Sequence, residues 1–234
     1  MTNAKSVQEL LGLPGQPVAV GFLDAPPAGL EAWQGPMPAG CAFWREAQDG
    51  RAFYTVQSDH FNCAVGAYTH GIDLPAERGS QLNETVGFMV ETGYLEMAEV
   101  PGIPRLEEAP AVVAYAPAST APFTPSAVLI AANATQAMLV YEAALRAGVG
   151  SALTNMIGRP TCAVLPLTLS SDTATMSLAC AGNRQFTGLG DDQFYISIPG
   201  ARWPAFEKAL DEIVTANERM RAFYAAHQAR VASQ

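Results

Sequence analysis

The sequence predicts an α+β (mixed α/β) chain folded as a single domain. Three observations carry this. Strand-length apolar runs alternate with helix-spaced stretches in the first two thirds and pair locally in the last third. The chain has 234 residues, 49% of them hydrophobic and 15% charged, which suits one substantial core. The glycine-rich strand–turn–helix fingerprint of a doubly wound nucleotide fold is missing, so a Rossmann-type sheet is disfavoured.

The elements follow in order. Val7, Leu10, Leu11 and Leu13 sit at helical spacing, and the Gly12–Pro14 step ends that helix. PVAVGFL (17–23) is a buried strand. The connection over 24–40, rich in Pro, Gly and Ala, is long enough for a flap. A short helix over 42–48 closes at Asp49-Gly50, 51–56 alternates like a strand, and 58–71 is a loop running into a helix. Residues 80–91 are helical with Ser80 as the cap, 95–99 add a turn, and Pro101, Gly102 and Pro104 stop it. Strands follow at 111–116 and 127–132, separated by the loop ASTAPFTPS. Asn133 then opens a helix running to Arg146. Strands are expected at 151–156, 162–169, 173–180 and 193–199, with a hairpin turn at Ser171-Asp172. Phe206, Leu210, Ile213, Val214, Met220 and Phe223 form one stripe on a C-terminal helix spanning about 204–228.

The net charge of −9 and the lack of any Lys/Arg cluster argue against nucleic acid or an anionic membrane as partner. The most apolar stretch, 127–153, is broken by Asn133, Gln136, Glu142 and Arg146, a polar load that a membrane span rarely carries. The first 17 residues lack the apolar core of a signal peptide, so a soluble, cytoplasmic protein is expected. A homodimer is possible on general grounds, and no residue fixes it.

Four cysteines, Cys41, Cys63, Cys162 and Cys180, stand in GCAFW, NCAVGAY, TCAVLPL and ACAGNR, each followed by alanine. In a reducing compartment such thiols favour metal binding or catalysis over disulfides. Thiolates are soft ligands for zinc, copper(I) or iron–sulfur clusters. The close C-x-x-C pairs of zinc ribbons and the ferredoxin spacings are absent, so tertiary structure would have to gather the ligands.

Around them stand His60 and His70, which flank Cys63 and are candidate ligands, proton donors or thiol activators. Asp59 is placed to orient His60, and Trp44 and Tyr68 to line a pocket. Arg184 follows Cys180 and could fix a substrate carboxylate by a two-pronged contact. Asn133, Thr135 and Gln136 read as an ordinary helix cap before an anion site, and His227 as solvated. A Ser–His–Asp triad has no support, since no G-x-S-x-G elbow is present.

One internal similarity suggests two pseudo-symmetric halves around a mixed sheet. The run REAQDGRAFYTVQSDHFNCAV can be laid on YEAALRAGVGSALTNMIGRPTCAV, which would put Cys63 and Cys162 on equivalent elements.

Over nearly its whole length the chain resembles the bacterial and archaeal family catalogued as domain of unknown function 169. The resemblance rests on PVAVGFL, CAFWREAQDG, DHFNCAVGAYTHG, SAVLIAANATQAMLV, PTCAVLPL and MSLACAGNRQFTGLGDDQFYISIP, in that order. It implies an α/β-type protein with a cysteine-lined centre. In the family pattern cysteines match all four positions here, some relatives place a fifth where this chain has Asn183, and the histidine often stands one residue closer to the second cysteine than His60 does.

Three functional expectations result. The first is a cysteine-ligated metal or iron–sulfur centre held by Cys41, Cys63, Cys162 and Cys180, in an enzyme acting on a small molecule with His60 or Arg184 nearby. The second is a metal-free small-molecule or tetrapyrrole (haem) binding protein with a thiol-lined pocket. The third is a metal-free enzyme using one activated thiolate.

Overall fold

The structure, a computed structural model, describes residues 5–150 and 155–233. It is an α+β single domain built on one mixed eight-stranded sheet. The strands are β1 (Val18–Leu23), β2 (Glu31–Ala32), β3 (Phe53–Val56), β4 (Val112–Pro117), β5 (Ala127–Asn133), β6 (Met156–Ile157), β7 (Thr175–Ser177) and β8 (Gln193–Pro199). Their order across the sheet is β2-β3-β4-β1-β5-β8-β7-β6.

That order makes the two halves copies of one another in topology. In the first half β1 and β3 flank β4 antiparallel, and β2 adds parallel at the edge. In the second, β5 and β7 flank β8 antiparallel, and β6 adds parallel at the edge. The halves meet at the antiparallel β1/β5 pair, with Val18 opposite Leu129, Ala19 opposite Val128 and Val20 opposite Ala127. Laying Val18 on Ala127 maps this seam onto itself. The same overlay puts Pro117, which faces Val18, on Pro199, which faces Ala127. It also matches the bond from Ala118 N to Pro17 O (2.8 Å) with that from Gly200 N to Ser126 O (2.9 Å).

The helices are α1 (Val7–Leu11), α2 (Ala42–Gln48), α3 (Ala64–Thr69), α4 (Gly79–Glu91), α5 (Ala134–Arg146), α6 (Val164–Ser171), α7 (Ala181–Thr187) and α8 (Trp203–Ala232). Local chemistry sets their ends. Ser6 and Glu9 form a reciprocal capping box on α1, and Gly12 closes it at φ 61°. Asn133 and Gln136 cap α5 in the same way, which accounts for the polar cluster between β5 and α5.

α1, α5 and α8 pack on one face of the sheet, burying Val128, Ile130, Ile196 and Ile198 against Leu139, Val140, Phe206 and Leu210. On the other face Val18, Val20, Val113, Tyr115, Leu129 and Tyr195 pack against Phe43, Trp44, Cys41, Cys162 and Leu165. Among the described residues no helix is long and apolar enough to cross a membrane.

Three local expectations are corrected. The run 162–169, expected as a strand, is a turn over Thr161–Ala163 followed by α6. An apolar run without period suits a helix buried on most sides as well as a strand, and Pro166 is tolerated because it stands in the first helical turn. Ser171-Asp172 is no hairpin: Asp172 ends α6 at φ 47°, and the strand beyond it runs parallel to β6. Ser80 lies inside α4, whose cap is Arg78. Residues 151–154, expected to begin a strand, lie outside the described residues.

Candidate functional site: four thiols at four helix starts

In each half one cysteine opens the crossover after the edge strand and another opens the crossover after its neighbour. Cys41 is the N-cap of α2, between β2 and β3. Cys162 stands in the turn that enters α6, between β6 and β7. Cys63 is the N-cap of α3, between β3 and β4, and Cys180 that of α7, between β7 and β8. The equivalent pairs are therefore Cys41 with Cys162 and Cys63 with Cys180. The expected Cys63–Cys162 correspondence fails, because the two Cys-Ala-Val segments follow different strands of their halves.

The equivalent cysteines also share their exposure. Cys41 and Cys162 are buried; Cys63 and Cys180 are half-buried. All four are free thiols. Contacts between the halves bring them together. α2 packs on α7, and α3 packs on the Thr161–Ala163 turn. The Cys180 N–H donates to Thr161 Oγ1 at 2.6 Å, tying the start of α7 to the residue before Cys162. The Cys162 sulfur lies 4.0 Å from Val65 O in the first turn of α3. The Cys63 sulfur accepts the Gly66 N–H at 3.3 Å. Gly66 is needed there, since a Cβ at that position would lie 2.9 Å from the sulfur.

Electrostatics separates the buried thiols from ordinary ones. Burial pushes Cys41 up to about 12; Asn183 beside it opposes the shift, and the charges of Cys63 and Cys180 add to it. Burial likewise raises Cys162 well above the usual thiol range, with Cys63 as the strongest neighbouring charge, Thr69 opposing, and Cys41 and Cys180 adding. Both are neutral thiols at physiological pH. Each buried sulfur feels the half-buried ones: Cys162 feels Cys63 before Cys41 and Cys180, and Cys41 feels Cys63 before Cys180.

The walls are aromatic and polar. Tyr115 stacks on Phe43 at 5.6 Å, and Tyr195 meets Trp44 edge-on at 5.2 Å. Both phenols are raised above their usual range by burial, Tyr195 to about 12. The Asn183 amide and the Tyr115 and Tyr195 hydroxyls are buried; they lie near Cys41, Thr55, Thr187 and Gln48 without completing a well-formed hydrogen bond among the described residues.

His60 is buried, with Nε2 2.8 Å from Thr55 Oγ1, and burial together with His70 lowers it to about 3. His70 is buried against Phe22 and His60 and is lowered by burial to about 4. Asp59 does not orient His60; it accepts the Val56 N–H at 2.8 Å. Arg184 directs its guanidinium to the carbonyls of Gly190, Leu178 and Gln193, which clamps the loop after α7 to the start of β8. Tyr68 carries Arg105 over its ring at 4.7 Å. A polar cleft of about 230 Å³ opens between Asn62 and Ala64, the chain neighbours of Cys63, on one side and Gln81, Glu84 and Thr85 of α4 on the other.

This geometry overturns the metal reading. Among the described residues no group of three or more His, Cys, Asp or Glu side chains is arranged to hold a metal ion. The four sulfurs share a neighbourhood at four separate helix starts without meeting on one point. The cysteine-ligated metal or iron–sulfur centre expected on Cys41, Cys63, Cys162 and Cys180 is therefore not supported.

Sequence reasoning passed over Tyr115, Tyr195, Thr69 and Thr161, which shape the surroundings of the thiols. Only the position of Asn183, opposite a cysteine in the family pattern, drew attention to that residue.

A family model matches residues 6–209, that of DUF169, described as "Uncharacterised ArCR". No curated protein and no solved structure matches the chain.

Proposed function

This chain belongs to the DUF169 family, and from its own residues we propose that it is a thiol–disulfide redox protein with two symmetry-related dithiol pairs, Cys63–Cys162 and Cys180–Cys41. The observation that carries this reading is the packing that seats α3, which Cys63 caps, on the turn holding Cys162, and α7, which Cys180 caps, on α2, which Cys41 caps. Each pair joins a half-buried sulfur at a helix start to a buried sulfur that its surroundings keep protonated. That division suits an attacking and a resolving thiol. The outer one meets a solute; the inner one is silent toward solvent but a strong nucleophile once its proton leaves.

The chemistry balances with a small disulfide as co-reactant. The half-buried Cys63 sulfur gives its proton to solvent and attacks one sulfur of the substrate. The substrate S–S bond breaks, one thiolate departs, and a mixed disulfide remains on Cys63. Cys162 then attacks the Cys63 sulfur, and its proton passes to the departing second sulfur, which leaves as a thiol. Two electrons pass from the protein dithiol to the substrate, which leaves as two thiols. In this reading His60, held neutral by burial, and Arg184, committed to backbone carbonyls, support the walls of the site and do not touch the reacting atoms.

The test is trapping with oxidised glutathione under air-free conditions, followed by intact-mass and peptide analysis. The wild type should end with internal disulfides and no lasting adduct. Cys162→Ser should accumulate glutathione on Cys63, and Cys63→Ser should leave Cys162 unmodified. Persistent adducts on the wild type, or no reaction at any thiol, would reject the reading.

A further inference from the structure

The geometry points to a second copy of this chain as the partner of the projecting half of α8, which docks on the outward face of that copy's α5.

The first half of α8 is anchored. Trp203, Phe206, Ala209, Leu210 and Val214 are buried, and the helix packs on α5 and α1. From residue 218 to residue 233 every position is exposed. At 1.5 Å per residue, roughly 20 Å of helix stands clear of the body. A free helix of that length is marginal in water, so its stability calls for a covering surface.

The projecting half carries an apolar stripe. The face that buries Phe206 and Ala209 continues at steps of three and four through Met220, Tyr224, His227 and Val231. Met220 is 46% exposed, Phe223 55%, Tyr224 60% and Val231 56%.

Charge selects the partner. The projecting half holds Arg219, Arg221 and Arg230 against the single acid Glu218, while the whole chain carries −9, so the acid excess lies on the body. Two projecting halves laid on each other would repel; one laid on the body of a second copy is attracted. A matching surface is present on α5. Met138 and Leu145 are 46% and 43% exposed on its outward face, with exposed Glu142 between them at the same spacing. Reciprocal docking makes a closed two-fold dimer in which each copy gives one helix and receives another.

Sedimentation equilibrium of the full chain at low and high salt tests this. A dimer that weakens with salt is expected. Phe223→Asp with Tyr224→Asp, and separately Met138→Glu with Leu145→Glu, should each weaken dimerisation by at least ~10-fold. Neither pair should shift the melting of the monomer, because all four side chains are exposed. A wild type that stays monomeric would overturn the proposal. So would a dimer that survives the α5 changes. Binding of the monomer to phosphatidylserine vesicles, lost with the Phe223 and Tyr224 changes, would assign the stripe to a membrane and overturn it as well.

Discussion

Adding one methyl group at Gly200 is expected to cost about 4 kcal/mol or more, a large share of the roughly 5–15 kcal/mol that holds a domain folded. A Cβ there would overlap the Pro125 carbonyl oxygen and lie 2.5 Å from its carbonyl carbon. Both atoms are backbone, so no side-chain rotation relieves the overlap. Nor can Gly200 move away cheaply, since its N–H donates to Ser126 O at 2.9 Å and holds the end of β8 to the start of β5. The equivalent position in the first half is Ala118, which makes the matching bond to Pro17 and already carries a methyl group. Gly200→Ala should therefore collapse the urea midpoint, while Ala118→Gly should cost only ~1 kcal/mol. Equal, small shifts for the two would contradict the close approach at this corner.

The second large effect is acid loss of stability through the buried imidazoles. Folding lowers His60 to about 3 and His70 to about 4, while the unfolded chain titrates near the ordinary 6.5. The unfolded state thus binds protons that the native state refuses, and stability rises with pH across this window. Above pH 6.5 both states hold neutral rings and nothing is lost. As pH falls from 6.5 toward 4, each ring withdraws on the order of 3 kcal/mol. His70 faces Phe22 and His60, and His60 faces Phe43, Thr55 and His70; among the described residues no carboxylate offsets the charge of either ring. Urea unfolding at stepped pH should show a steep decline below 6.5, and His60→Gln with His70→Phe should flatten it. An unchanged slope in the double variant would place the acid sensitivity elsewhere.

Much of the sheet was legible in the sequence. PVAVGFL and AVLIAA are apolar at every position, as strands covered on both faces must be. Helices α2, α5 and α8 announced themselves by caps and spacing. What stayed hidden had physical causes. The run after Cys162 is apolar without period, so strand and helix fit it equally until the layer above the sheet is known. α7 begins Ala-Gly-Asn, in which Gly182 and Asn183 are poor helix formers, and is held by the Arg184 clamp and by Gly188 at φ 66°.

The two-fold relation of the halves was sensed through the wrong letters. The repeated Cys-Ala-Val string aligned crossovers that are not equivalent, while the informative marks were Pro117 and Pro199 at the strand ends, which face equivalent residues of β1 and β5. The similar local settings of the four cysteines were legible; that their sulfurs stand at four separate helix starts was not. Their division into two outer and two inner sulfurs was not, because burial depends on which crossover each one opens.

Disulfide mapping of the folded protein after mild oxidation bears most directly on the proposed pairing of thiols across the halves. Peptides joined Cys63 to Cys162 and Cys41 to Cys180, each link crossing from one four-stranded unit to the other, are the expected result. Links confined to one unit, links only between separate chains, or four thiols still free after exposure would contradict it.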